Sequence, residues 1–153
     1  MLKQQLKDEL KQAMLAKDTV KTSVLRMLIS AIGYEEIKKG GAGYEATDED
    51  VMNVINKEAK QHKDSIEQFK NAGRMDLVEK EETELNMLQT YLPEEMGEDE
   101  IRKLVIDAIT RSGATSAADM GKVMGILMPQ VKGKADGGLV SKIVREELNK
   151  AQN

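Results

Sequence analysis

Cysteine and tryptophan are absent from this chain, and only one phenylalanine and two prolines occur among its 153 residues. Without cysteine there are no disulfides, thiolate nucleophiles or cysteine-ligated metals, a composition that suits a reducing compartment. Aromatic residues make up 3% of the chain, so its apolar content is leucine, isoleucine, valine, alanine and methionine, which pack well between helices. No long hydrophobic run occurs either. The first residues, MLKQQLKDELKQAMLAKD, carry charge at every turn and lack the apolar centre of a signal peptide, and no later segment reaches spanning length. These absences lead to the expectation of a cytoplasmic protein with no membrane partner.

What is present is 40% apolar and 33% charged residue, too hydrophobic for disorder and enough for a real core. The net charge of −4 is unevenly spread. Residues 1–118 hold 17 Lys/Arg against 23 Asp/Glu, whereas 119–153 hold 6 against 4. A basic excess at the C-terminal end can act locally, because screening limits repulsion from distant acids to about 10 Å.

Leu2, Leu6, Leu10 and Met14 recur every four residues, which predicts an amphipathic helix to about Ala16. Asp18 or Thr19 can cap a second helix, with Val20, Val24, Leu28, Ile32 and Ile37 on its apolar positions, ending at Gly40-Gly41. Thr47-x-x-Asp50 reads as a capping box for a long third helix, with Val51, Val54, Ile55, Ala59, His62, Ile66 and Phe69 on one face and Gly73 at its end. Asp76 is the expected cap of a fourth, which carries Leu77, Leu85, Leu88 and Leu92 and stops at Pro93. The polar LPEEMGEDE segment then separates two patterned regions. Three more helices follow, around Ile101–Ile109, around Met120–Leu127 until Pro129 ends or kinks it, and from an Asp136 cap through Leu148. The reading is all-α: a four-helix N-terminal domain over 1–93, then a three-helix C-terminal domain over 98–153.

Among candidate sites, residues 119–148 stand out. Gly121 and Gly125 share a helix face, and close packing against another helix is the preferred reading of the pair; Met120, Met124 and Met128 read as adaptable core. Lys132-Gly133-Lys134 joins two helices, with no acid from Gly121 to Ala135. Two ammonium groups beside free backbone N–H groups suit a phosphate, although a solvated turn is the plainer alternative. The spacing is not that of a Walker loop. His62 is the only histidine and reads as half-buried and structural, while Glu79, Glu81, Glu82 and Glu84 read as spread around a solvated helix. Neither a catalytic constellation, a metal site nor a cofactor is expected.

Three stretches together, the N-terminal amphipathic helix, AGRMDLVEKEETELNMLQTYLPEEM at 72–96 and DMGKVMGILMPQVKGKADGGLVSKIVREEL at 119–148, resemble the GatB/YqeY family. That family comprises small bacterial YqeY-like proteins and the tail domain of the B subunit of tRNA-dependent amidotransferases. The resemblance implies a bacterial, helical protein whose C-terminal domain helps hold tRNA. It points to Lys122, Gly133, Lys134, Ala135 and Asp136, with Lys132 inside the same motif, as nucleic-acid-binding positions. It also implies a link to a carbon–nitrogen ligase with glutamine as amido donor, yet this chain matches the tail and not the catalytic cradle. The leading expectation is a non-catalytic accessory protein that binds tRNA, with an aminoacyl-tRNA synthetase or amidotransferase as a further partner. A helical protein–protein adapter and a component of transamidation are the alternatives.

Overall fold

The structure, a computed structural model, describes residues 1–152, with side chains through residue 150. Among the described residues all regular structure is helical: α1 (Leu2–Leu15), α2 (Thr19–Gly40), α3 (Asp48–Asn71), α4 (Met75–Gln89), α5 (Glu98–Ser112), α6 (Met120–Val131) and α7 (Gly137–Gln152). The chain divides into two compact units, Met1–Leu92 and Pro93–Asn153. Asn153, the last residue of the expected C-terminal domain, lies outside the described residues.

The first unit is organised by the long α3. Its N-terminal half buries Val51, Val54 and Ile55 against Leu6 and Ala13 of α1, Val24, Leu25, Leu28 and Ile32 of α2, and Leu88 of α4. Its C-terminal half forms a hairpin with α4, which closes over a smaller cluster of Ala59, Ile66, Val78 and Leu85. The ends of two expected stripes leave the core. Met14 is half exposed, Val20 is 40% exposed and Ile37 is 68% exposed. A strict four-residue repeat drifts by about 40° per step around a helix of 3.6 residues per turn, which carries Met14 and Val20 off the core side, and the five-residue step from Ile32 turns Ile37 by about 140°.

Helix starts follow side-chain chemistry at two of three expected caps in this unit. An Asp18 carboxylate oxygen accepts the Lys21 N–H at 3.0 Å. Thr47 and Asp50 form the reciprocal capping box, and Asp50 is also buried, taking the Tyr44 hydroxyl at 2.6 Å and the Lys39 ammonium. Gly40 makes this possible, since any Cβ there would lie 2.7 Å from that of Tyr44. The third cap differs from expectation: α4 starts at Met75 after Arg74, and Asp76 lies in its first turn with its carboxylate engaged by the Arg74 guanidinium at 3.1 and 3.2 Å.

In the second unit α5, α6 and α7 surround Ile101, Val105, Ala108, Val123, Leu127, Val131, Val140, Ile143, Val144 and Leu148. Arg102 braces it from the rim, binding Glu98 on its own helix and Glu146 and Glu147 on α7 at 2.6–3.1 Å. Pro129 does not end α6, which runs two residues further to Val131. The missing N–H removes a single bond, to the Gly125 carbonyl, close enough to the helix end for the last turn to survive.

Candidate functional site

The residues expected to contact nucleic acid lie along α6 and the turn after it. Lys122, Lys132, Gly133, Lys134 and Asp136 are all exposed. They do not converge on one pocket. Lys122 and Lys132 are ten residues apart, about 15 Å along the helix and roughly 80° around it, so the cations form a line rather than a cluster. Lys122 lies 3.8 Å from Asp119, whose carboxylate is held below its usual pKa by the Thr115 N–H it accepts. Among the described residues, Lys132 and Lys134 have no ion pair.

The Lys132-Gly133-Lys134 turn is more ordered than expected. Gly133 has φ +76°, a left-handed conformation that only glycine adopts without strain. The N–H of Lys132 donates to the Met128 carbonyl at 2.9 Å, and those of Lys134 and Ala135 donate to Val131 at 2.9 and 3.1 Å. These three amides are therefore occupied in closing the helix. The Lys134 carbonyl in turn accepts the Met96 N–H at 2.8 Å, which fastens the turn to the segment before α5. Asp136 directly precedes α7, and its carbonyl accepts the Val140 N–H. What the turn offers a ligand is its two ammonium groups, with the Gly133 N–H between them taking part in none of these bonds.

The glycine pair overturns the close-packing expectation. Gly121 and Gly125 are exposed, and a Cβ on either would meet nothing within 4 Å. With Met128, 39% exposed, and Lys132 they form a row at i, i+4, i+7 and i+11 on the outer face of α6. Met120 and Met124 pack partly against the core, so the methionine stripe is divided between inside and outside. The reason is the same in both cases: Val123, Leu127 and Val131 are the residues that α6 turns inward, and the glycines lie opposite.

A second constellation was not expected. His62 is buried at 7% exposure, and its Nδ1 is in hydrogen-bond contact with the Glu81 carboxylate, while a Glu84 oxygen lies 3.9 Å from the same nitrogen. The four glutamates of α4 thus separate: Glu79 and Glu82 are exposed, but Glu81 and Glu84, one turn apart, face α3. The signal is in the spacing. His62 and Glu84 are each eleven residues from Gly73, so an antiparallel hairpin turning there brings them level. Treating α4 alone hides that register.

A model of the family described as Yqey-like protein matches residues 3–148. Among similar proteins is "Altered inheritance of mitochondria protein 41, mitochondrial" from Pyrenophora tritici-repentis (strain Pt-1C-BFP), 39% identical over 92% of this chain and 77% of that protein. Proteins of the same name from Saccharomyces cerevisiae (strain YJM789) and Vanderwaltozyma polyspora are 32% and 34% identical, over 78% and 75% of this chain. The chain spans 66% and 64% of those two yeast proteins. These relatives are fungal and mitochondrial by name, whereas the resemblance read from the sequence implies a bacterial setting, which they do not support. With a matched segment running from the first turn of α1 to Leu148 at the end of the α7 core, the chain belongs to the Yqey-like protein family.

Proposed function

We propose that this chain is a non-catalytic accessory protein that binds tRNA through the outer face of α6 and the turn that follows. The observation that carries the reading is that face itself, where Lys122, Lys132 and Lys134 are exposed beside two glycines with open space above them. Glycine inside a helix costs about 1 kcal/mol relative to alanine, and nothing within the described fold recovers that cost at Gly121. A smooth, basic face lets a phosphate backbone approach the helix closely. No step of amide transfer is assigned to this chain, since the proposed contacts are charge and shape.

Filter binding of tRNA at several salt concentrations tests this. Three phosphate contacts give a slope of log affinity against log salt of roughly −2 to −3, and each Lys→Ala removes up to about one unit. An unchanged slope in an equally folded Lys122→Ala, Lys132→Ala, Lys134→Ala triple variant would sink the assignment. Glutamine- and ATP-dependent turnover by the purified chain, lost on substitution within 119–148, would overturn the non-catalytic part.

Exposed Met128 supports a second reading, a protein partner on the same face, such as a synthetase or amidotransferase. Such a partner stays bound at salt that releases RNA. For location we propose the cytoplasm, which the cysteine-free composition suits; no described helix is long and apolar enough to cross a membrane. The relatives' names make fractionation against mitochondria the direct test.

A further inference from the structure

From the convergence of His62, Glu81 and Glu84 we propose that the α3–α4 hairpin binds one divalent transition-metal ion, with zinc as the type case. The imidazole comes from α3 and both carboxylates from α4, and one ligand atom from each lies within 4.8 Å of the other two. One imidazole nitrogen and two carboxylate oxygens form a mixed N/O donor set of the kind zinc accepts, and the two carboxylates together balance a divalent charge.

A structural hydrogen bond between His62 and Glu81 explains only half of this arrangement. The Nδ1 contact goes to Glu81, and a Glu84 oxygen 3.9 Å away lies beyond hydrogen-bond range of the same nitrogen. Glu84 nevertheless turns toward the same nitrogen, so two carboxylates and one imidazole converge, an arrangement that a shared cation favours. The surroundings suit entry followed by retention. His62 is buried beside Ala59 and Ile66, which fix its helix face, whereas the Glu81 and Glu84 side chains keep 21% and 17% exposure at the open edge. Zinc–ligand bonds of about 2.0–2.2 Å require the three donor atoms to settle roughly 3.5 Å apart. Rotation of the two partly exposed glutamate side chains provides that adjustment. The ion would fasten the hairpin at mid-length, in the region of the smaller apolar cluster.

Equilibrium dialysis of the full chain against Zn²⁺ reads this directly, with Co²⁺ as a spectroscopic probe. The expected result is one Zn²⁺ per chain at micromolar or tighter affinity, a raised melting temperature, and visible Co²⁺ absorption that Zn²⁺ displaces. Glu84→Gln, which keeps size and leaves the Glu81 contact to His62, should weaken binding at least tenfold while the metal-free melting temperature stays near that of the parent. His62→Gln should abolish the Co²⁺ spectrum, with circular dichroism confirming its helices. No binding at 1 mM Zn²⁺, or binding unchanged in the Glu84→Gln and His62→Gln variants, overturns the proposal. These readouts contain no RNA, so they stand or fall separately from tRNA binding.

Discussion

The two units place their cations differently. In the first, Lys3 reaches Glu36, Lys21 reaches Glu9, and Lys39 reaches Asp50, each joining residues far apart in sequence or on different helices. In the second, Arg102 does the same between α5 and α7, but Lys122, Lys132 and Lys134 point outward from α6 and its turn. The lesson is that net charge does not locate a binding surface. An acidic protein carries a basic line wherever local cations lack acids on a facing helix.

The sharpest way to break the comparison is to unfold one unit without the other. Leu28 and Leu127 are both completely buried, in separate cores. Each Leu→Ala should cost about 2–5 kcal/mol. Hydrogen exchange should place the loss from Leu28→Ala in residues 1–92 and that from Leu127→Ala in 93–152; equal losses throughout the chain in both variants mean the units fold as one.

A smaller effect separates the first unit's internal ion pairs from the exposed lysines. Asp50 is held well below the ordinary carboxylate range, first by the Lys39 ammonium, then by the Tyr44 hydroxyl and the Thr47 N–H. Its folded pKa is depressed, so its contribution is complete above the unfolded value of about 3.9 and is lost as pH falls through the folded one. Acid titration of unfolding should therefore show a shallower loss below pH 4 in Asp50→Asn than in the parent. Parallel curves contradict this.

The smallest expected effect concerns the outer face of α6. Gly121→Ala and Gly125→Ala should each stabilise the second unit by about 0.5–1 kcal/mol, because open space receives the methyl group and the unfolded chain loses freedom. If that face receives a close partner, the same changes weaken binding. Stabilisation with unchanged tRNA affinity, measured by melting and filter binding together, would confine contact to the lysine side chains.

Helix number and most helix ends are readable in the chain because capping and glycine chemistry are local, as at Asp18, Gly40-Gly41 and Thr47-Asp50. The exposed lysines of the candidate site are readable too, since no acid interrupts them. What was hidden depends on which face an element turns inward. Gly121 and Gly125 share a side of α6 in any helix, but only the packing of Val123 and Leu127 decides that this side is open. Asp76 shows a local competition resolved by a neighbour, where Arg74 engages the carboxylate assigned to capping. The His62 cluster is a matter of hairpin register, which no single-helix periodicity contains.

Tyr91, just past α4, donates its hydroxyl to Glu9 on α1, and Leu88 shares a core with Leu6. That clasp links residues 82 positions apart. At about 5–20 residues per second on the ribosome, α1 waits on the order of 4–16 s after its own synthesis before its partner exists. For that interval Leu6 already lies against α2, which follows it directly, but the place of Leu88 beside it stands open, the stage at which this unit is most open to capture by a chaperone.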